Sequence, residues 1–166
     1  MPEIPEFDFE SILRELADHE VDFIVVGGIA AALEGVLGNT LDVDVVPSRE
    51  PANVGRLMAA LDSLGAVYRL RPELKPNESH LASAGHKLLT TRFGPLDVLG
   101  MIGRGRGYDD LLPHAVEVEL DDGFRVQVLN LETLIAVKEE VAREKDLAVL
   151  PTMRRTLEEK RRLGIS

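Results

Sequence analysis

The feature that most constrains this chain is a short apolar stretch interrupted by two aspartates. Residues 41–47 read Leu-Asp-Val-Asp-Val-Val-Pro. Side chains alternate between the two faces of a strand, so Asp42 and Asp44 are predicted to share one face, with the Leu and Val side chains on the other. Two like charges about 6.5 Å apart repel by about 2.5 kcal/mol at an effective dielectric constant of about 20. A divalent cation would relieve that repulsion, and carboxylate oxygens suit Mg²⁺.

A glycine pair precedes these aspartates. The strand predicted over 21–26 ends at Gly27 and Gly28, and an apolar helix is predicted over 29–36. Glycines between a strand and a helix allow a tight turn and a close approach of the backbone to a ligand. The N–H groups at the start of the helix favour a phosphate group. The glycine pair and the two carboxylates together predict a site for a metal ion and a triphosphate.

This order of elements resembles the nucleotidyltransferase superfamily, which has a polymerase-beta-like fold and the signature Gly-Gly or Gly-Ser, a helix, then Asp-x-Asp. In particular it resembles the small bacterial abortive-infection type, many of which are toxins of toxin–antitoxin pairs. The resemblance implies an α/β protein with the minimal nucleotidyltransferase fold, a central mixed β-sheet flanked by helices. Relatives often read Arg-x-Thr-x-Asp-x-Asp; here Thr40 is kept, but Gly38 stands where the arginine would be. That departure bears on triphosphate binding and substrate class more than on the fold.

A third acidic residue, Asp97, lies in the apolar run 96–102, which is predicted to be a strand. A carboxylate there needs a partner, because burying an unpaired charge is costly. From the residues alone, Asp97 is either a salt-bridged or edge-strand residue or a third metal ligand. The resemblance favours a metal ligand, because Gly94-Pro95-Leu96-Asp97-Val98 fits the family's Gly-x-(Leu/Ile)-Asp-hydrophobic form.

A helix is predicted over 131–142 with Asn130 as its N-cap, and Lys138 falls on its apolar stripe. A lysine there can extend to water. In similar proteins a lysine at this place, in a Leu-hydrophobic-Ala-x-Lys pattern, points at the nucleotide phosphates, and both interpretations stay open. Residues 143–147 resemble the Arg-x-Lys-Asp-hydrophobic start of the family's last helix, which Pro151 is predicted to interrupt or restart.

Several further segments have two interpretations or a simple structural one. A helix over 7–19 is predicted to cover the sheet, another to begin after Ser48 as N-cap, and a hairpin to turn at residues 121–123. The polar segment 71–85 is predicted to be a loop, either a surface connection or a substrate-facing loop. The Gly103–Gly107 tip is either a phosphate contact or a mobile solvated turn. A basic cluster near the C-terminus is predicted to be a solvated face or a partner contact: Arg154, Arg155, Lys160, Arg161 and Arg162.

The length and composition predict one domain over residues 1–166, with a tail at 1–6 and a C-terminal helical segment at 143–166 packed on it. The net charge of −10 argues against a broad nucleic-acid-binding surface, although a nucleic-acid end could still dock in one local pocket. The absence of cysteine rules out disulfides and thiolate metal sites and fits a cytoplasmic protein. No apolar run is long enough to span a membrane.

The resemblance implies metal-dependent transfer of an NMP group from an NTP to a hydroxyl of an RNA 3′ end such as that of tRNA, a protein or a small molecule. It implies a possible antitoxin partner as well. The expected catalytic residues and ligands of Mg²⁺ or Mn²⁺ are Asp42, Asp44 and Asp97. The residues expected to contact the nucleotide are Gly27, Gly28, Thr40 and Lys138. The alternative is an inactive relative that binds a nucleotide or a partner protein, which the missing arginine and the acidic surface favour; the three intact carboxylates favour the enzyme.

Overall fold

The computed structural model describes residues 7–36, 38, 40–141 and 144–165, without the side chains of 144–146. The predicted tail at 1–6 lies outside the described residues. The protein is α/β, with a seven-stranded mixed sheet flanked by helices, as predicted. The strands are β1 (Phe23–Val26), β2 (Val43–Pro47), β3 (Val67–Tyr68), β4 (His86–Thr91), β5 (Gly94–Leu99), β6 (Ala115–Glu119) and β7 (Arg125–Leu129).

The sheet has the strand order β3-β4-β5-β2-β1-β7-β6. The pairs β1–β7 and β2–β5 are parallel, and the other neighbouring strands are antiparallel. The register places Asp44 of β2 opposite Asp97 of β5, and Val26 of β1 opposite Asp44. Residues directly opposite each other project from the same face of a sheet, so this register sets the position of the candidate site.

Seven α-helices are described, and the apolar stripe of the first one is buried in the hydrophobic core. They are α1 (Phe9–Asp18), α2 (Gly27–Leu33), α3 (Pro51–Ser63), α4 (Glu78–Ala82), α5 (Tyr108–Leu111), α6 (Leu131–Glu140) and α7 (Glu144–Leu163). Two 3₁₀ turns cover Leu112–His114 and Asp121–Gly123, the second closing the predicted hairpin between β6 and β7. Within the described ranges, no helix is both long and apolar enough to cross a membrane.

The predicted N-cap of α3 is wrong. The cap residue is Glu50, not Ser48, and Pro51 is the first helical residue. Proline suits this first position, because its fixed φ matches the helix and its missing N–H would have no intrahelical partner there. The proline, and not the serine, therefore sets where the helix begins.

Segment 71–85 is not a continuous loop, because it contains α4. The side chain of Asn77 accepts a hydrogen bond from the N–H of His80 at 2.9 Å and caps the helix, while Leu81 is buried. One buried residue in a helix of this length creates no periodic pattern, so the spacing of apolar residues does not predict α4.

The end of α4 is held by a buried lysine on the neighbouring strand. Lys87 is only 3% exposed, and its ammonium group donates to the carbonyls of Ser83 and Gly85, each at 2.6 Å. Burial, and then the charge of Arg49, lowers the pKa of Lys87 to about 8. Segment 71–85 is therefore fixed to the sheet at its C-terminal end.

Helix α7 differs from prediction at two places. It continues through Pro151 without interruption, because the buried side chains of Leu150 and Met153 hold it to the core on both sides of the proline. The solvated-face interpretation of the basic cluster is wrong for Lys160, which forms a largely buried ion pair with Glu34 just after α2. Two more of these residues bind helix α6, in the pairs Arg154–Glu139 and Arg161–Glu132.

Candidate active site

Three carboxylates meet on one face of the sheet. Asp44 and Asp97 lie opposite each other on the parallel strands β2 and β5, and Asp42 directly precedes β2. One carboxylate oxygen from each residue lies within 4.8 Å of the other two. The structure therefore brings together the three predicted carboxylates, and three oxygens at this spacing suit a hard divalent cation.

The strand that carries these acids begins later than predicted. It starts at Val43, so Leu41 lies outside it and is 78% exposed, whereas Val43 and Val45 are fully buried. The alternation predicts Leu41 on the same face as these two valines, which is wrong. The alternation of faces applies only where the backbone is paired in the sheet, and this pairing begins after Asp42.

Burial and the nearby negative charges raise the pKa of Asp44. Burial raises its pKa to about 8 from an ordinary value of 3.8, and the charges of Asp42 and Asp97 and a hydrogen bond with Asp97 act in the same direction. The positive charge of Lys138 opposes this increase in the pKa. A cation bound by the three carboxylates would stabilise the ionised form and release the proton.

The raised pKa of Asp44 predicts how the stability of the metal-free protein depends on pH. The folded state keeps a proton that the unfolded state has lost, so the contribution of Asp44 is complete below pH about 4 and is lost as the pH rises to about 8. In that window the free energy of unfolding should fall by up to about 1.4 kcal/mol per pH unit. Denaturant titrations with a chelator present, wild type against Asp44→Asn, should show this slope in the wild type and lack it in the variant. Equal slopes in the two proteins would contradict the prediction.

The predicted glycine turn lies directly against the carboxylates. Helix α2 begins at Gly27 itself, two residues earlier than predicted. Gly27 has φ +68°, and a Cβ there would overlap Oδ2 of Asp44. A Cβ on Gly28 would lie 2.6 Å from Cγ2 of Thr40. The structure therefore brings Gly27, Gly28 and Thr40 together beside Asp44, and only glycine fits at the first position.

Gly27→Ala should damage both folding and the carboxylate cluster. Alanine in a left-handed conformation costs about 1–2 kcal/mol, and its methyl group must displace Asp44. We expect a loss of about 2 kcal/mol or more in the free energy of unfolding, together with weaker Mn²⁺ binding measured by calorimetry. The matched control is Gly55→Ala in α3, where a Cβ would meet no atom within 4 Å; it should fold as well as the wild type. A Gly27→Ala protein as stable as this control would show that the turn tolerates a side chain.

Lys138 lies on the half-buried side of α6, close enough to the cluster for its charge to act on Asp44. The helix that carries it is capped as predicted, because the side chain of Asn130 accepts a hydrogen bond from the N–H of Thr133 at 2.9 Å. Its placement beside the carboxylates agrees with a phosphate-facing lysine, and the contact with phosphate stays a prediction.

The sequence-based interpretation missed Arg69. Its Nη2 donates to Oδ1 of Asp97 at 2.6 Å and to the carbonyl of Leu89 at 2.8 Å. Asp97 is thus both a member of the carboxylate cluster and part of an ion pair. The sequence leaves these two positions as alternatives, and the structure combines them. No motif marks Arg69, and only the register of three strands brings it to Asp97.

The Gly103–Gly107 tip is tied to helix α6. Ile102 and Arg106 exchange two backbone hydrogen bonds at 2.8 and 2.9 Å. The N–H of Arg104 donates to Oε2 of Glu140 at 2.9 Å, and Arg106 forms an ion pair with the same carboxylate. These contacts, the backbone N–H first, lower the pKa of Glu140. The structure therefore gives the basic tip a protein partner in Glu140, and a contact of the tip with phosphate stays a prediction.

Gly38 stands where relatives often carry an arginine, and the described residues provide no steric reason for a glycine there. A Cβ at this position would meet no atom within 4 Å among the described residues. The side chains of residues 143–146, which belong to the segment that resembles the start of the family's last helix, lie outside the described part of the chain.

No protein-family model and no curated protein matches the chain. Solved structures do match. A candidate nucleotidyltransferase from Thermotoga maritima has 16% sequence identity and a TM-score of 0.57, covering 94% of this chain and 96% of its own. The lincosamide antibiotic adenylyltransferase LnuA, bound to lincomycin, has 12% identity and a TM-score of 0.61, covering 92% of this chain and 98% of its own. The antibiotic-resistance factor ANT(2″)-Ia has 16% identity and a TM-score of 0.59, covering 90% and 82%. The protein therefore has the nucleotidyltransferase fold.

Proposed function

We propose that this protein is a metal-dependent nucleotidyltransferase, which moves an NMP group from an NTP to an acceptor hydroxyl. The observation that supports this most directly is the convergence of Asp42, Asp44 and Asp97 beside the Gly27-Gly28 turn. The fold shared with adenylyltransferases adds to it. We further propose that residues 1–166 act as one domain in the cytoplasm.

The residues fit a divalent cation because they supply three clustered oxygens and because burial and repulsion raise the pKa of Asp44, a sign of unrelieved negative charge. Mg²⁺ or Mn²⁺ held by these carboxylates would neutralise charge on the phosphates and activate the attacking oxygen. Gly27 and Gly28 would hold the β- and γ-phosphates through their backbone N–H groups, with Thr40 beside them. Lys138 would offset the remaining negative charge.

In the proposed reaction the acceptor oxygen forms a bond to the α-phosphorus, and the bond from that phosphorus to the oxygen of the β-phosphate breaks. Pyrophosphate leaves with the electron pair of the broken bond. The negative charge of Asp97 would favour release of the proton of the acceptor hydroxyl, which passes to solvent. No oxidant, reductant or further reactant is needed.

A small-molecule hydroxyl is the acceptor class that the comparisons favour. LnuA is described as an antibiotic adenylyltransferase bound to lincomycin, and ANT(2″)-Ia in complex with adenylyl-2″-tobramycin. The net charge of −10 also disfavours a long nucleic acid. A toxin of a toxin–antitoxin pair would instead modify an RNA 3′ end or a protein, so the identity of the acceptor distinguishes these roles.

A catalytically inactive, nucleotide-binding module is the second candidate. It is favoured by the ion pair that engages one oxygen of Asp97 and by Gly38 in the place of the family's arginine. Such a module would hold the triphosphate without transferring it.

The test is incubation of the protein with each α-labelled NTP and Mg²⁺ or Mn²⁺. Hydroxyl-rich antibiotics, total RNA and a protein lysate serve as separate acceptor pools. Label in the antibiotic pool, with release of pyrophosphate, is the expected result, and Asp44→Asn is the inactive control. Label in RNA or protein would support the toxin role. Nucleotide binding without transfer to any pool would leave the module as the better account.

A further inference from the structure

We infer that Arg69 is a positioning residue for Asp97, which holds one carboxylate oxygen so that the other is presented to a divalent cation shared with Asp42 and Asp44. This inference rests on the proposed function only for its metal ion. Arg69 directly follows the edge strand β3, whereas Asp44 and Asp97 lie on β2 and β5. The predicted effect on metal binding can be measured whether or not the protein transfers a nucleotide.

A row of neighbouring residues across the sheet connects Arg69 to the carboxylates. The N–H of Arg69 donates to the carbonyl of Leu88 at 2.9 Å, directly after strand β3. Leu88 lies opposite Asp97, and Asp97 lies opposite Asp44. Residues opposite each other share a face, so Arg69 reaches the carboxylate cluster along the face on which the proposed chemistry takes place.

The guanidinium group of Arg69 is held by the sheet as well as by Asp97. The same Nη2 donates to Oδ1 of Asp97 and to the backbone carbonyl of Leu89 on β4. The backbone bond fixes the guanidinium to the sheet independently of Asp97, so the arginine does not follow the aspartate if its carboxylate rotates. With Oδ1 held at 2.6 Å, the other oxygen is the one left for the cluster.

The position of Arg69 leaves one of its polar atoms unsatisfied. Nε of Arg69 is buried and has no hydrogen-bond partner among the described residues. Buried polar atoms are nearly always satisfied, and an exception calls for an explanation. The orientation that serves Asp97 and Leu89 leaves Nε unpaired, which agrees with an arginine placed for the carboxylate and not for its own hydrogen bonding.

Two roles of Arg69 predict opposite effects on metal affinity. If the arginine only offsets negative charge, its removal makes the site more negative and tightens cation binding. If it positions Asp97, its removal frees the carboxylate to rotate and weakens cation binding. Loss of a residue that orients a metal ligand typically costs about tenfold or more in affinity. The sign of the change therefore separates positioning from simple neutralisation.

The experiment measures Mn²⁺ binding by calorimetry for the full chain without nucleotide. We expect Arg69→Gln to weaken Mn²⁺ binding about tenfold, and Arg69→Lys to weaken it less because a lysine keeps the charge and part of the hydrogen bonding. The matched control is Arg71→Gln, since Arg71 is exposed and its side chain pairs with Glu73 in the described contacts; it should bind Mn²⁺ as the wild type does. Thermal unfolding shows whether each variant is folded. If Arg69→Gln does not fold, Arg69→Lys provides the test.

A double substitution tests whether Arg69 acts through Asp97. In the Asp97→Ala background there is no carboxylate to position, so adding Arg69→Gln should leave Mn²⁺ binding unchanged or make it tighter. Mn²⁺ binding that stays equal or becomes tighter in both single Arg69 variants would overturn the inference while leaving the proposed function intact. Weaker binding in those variants, in a protein that transfers no nucleotide, would support the inference and count against the proposed function. A wild-type protein that binds no Mn²⁺ would overturn both.

Discussion

Asp44→Asn is expected to lower nucleotidyl transfer by about a thousandfold or more, which corresponds to roughly 4 kcal/mol or more of activation free energy. Asp44 is the central carboxylate of the cluster: it contacts Asp97, repels Asp42 and lies against Gly27. An amide of nearly the same shape keeps the packing but supplies no negative charge for a cation. The loss should therefore come from metal binding and the chemical step, not from unfolding.

The measurement is labelled-nucleotide transfer at saturating NTP, with Mn²⁺ affinity determined in parallel. The control is Asp62→Asn, since Asp62 is an exposed residue of α3 that lies outside the cluster and pairs with Lys75; it should retain full activity. In the metal-free state above pH about 8, the Asp44→Asn substitution should make the protein more stable, because it removes a buried charge held against its neighbours. A variant that loses both activity and stability would indicate a structural role for Asp44 instead.

Local patterns were sufficient for the buried part of strand β2 and for the face on which Asp44 lies. The alternation of Asp and Val after Leu41 placed Val43 and Val45 in the core and Asp44 on the other face, because the period of a strand depends only on neighbouring residues. The cap at Asn130 was predictable for the same reason, since an N-cap needs a side chain and an N–H only three residues apart. The glycine pair was predictable from its place between a strand and a helix.

Partners that are far apart in the sequence could not be predicted in this way. Arg69 and Asp97 are 28 residues apart in sequence, and Glu34 and Lys160 are 126 apart. Their contact depends on strand order and register, which no local period encodes. The same limit explains why the sequence predicts a solvated face or a partner contact for Lys160. A charged side chain in a polar helix has the same sequence signature whether it faces water or a buried carboxylate.

Asp97→Ala should separate chemistry from nucleotide binding. Under the proposed function, one cation and the Gly27-Gly28 turn would suffice to hold a triphosphate, whereas transfer would also require stabilisation of charge on the attacking and leaving oxygens. Catalysis depends on interactions that are stronger in the transition state than in the ground state. We therefore expect turnover to fall by about a hundredfold or more, roughly 2.7 kcal/mol or more of activation free energy, while the calorimetric NTP affinity falls by less than about tenfold.

The ion pair with Arg69 adds a condition to this experiment. Removing Asp97 leaves a partly buried guanidinium without its charged partner, so the metal-free variant should lose about 1–3 kcal/mol of stability. Activity must be compared at a temperature where both proteins are folded. The variant Asp97→Ala with Arg69→Gln removes the unpaired cation and should recover part of the stability without recovering turnover. If it recovers both, the lost activity came from the stranded arginine, and Asp97 has no part in the chemical step.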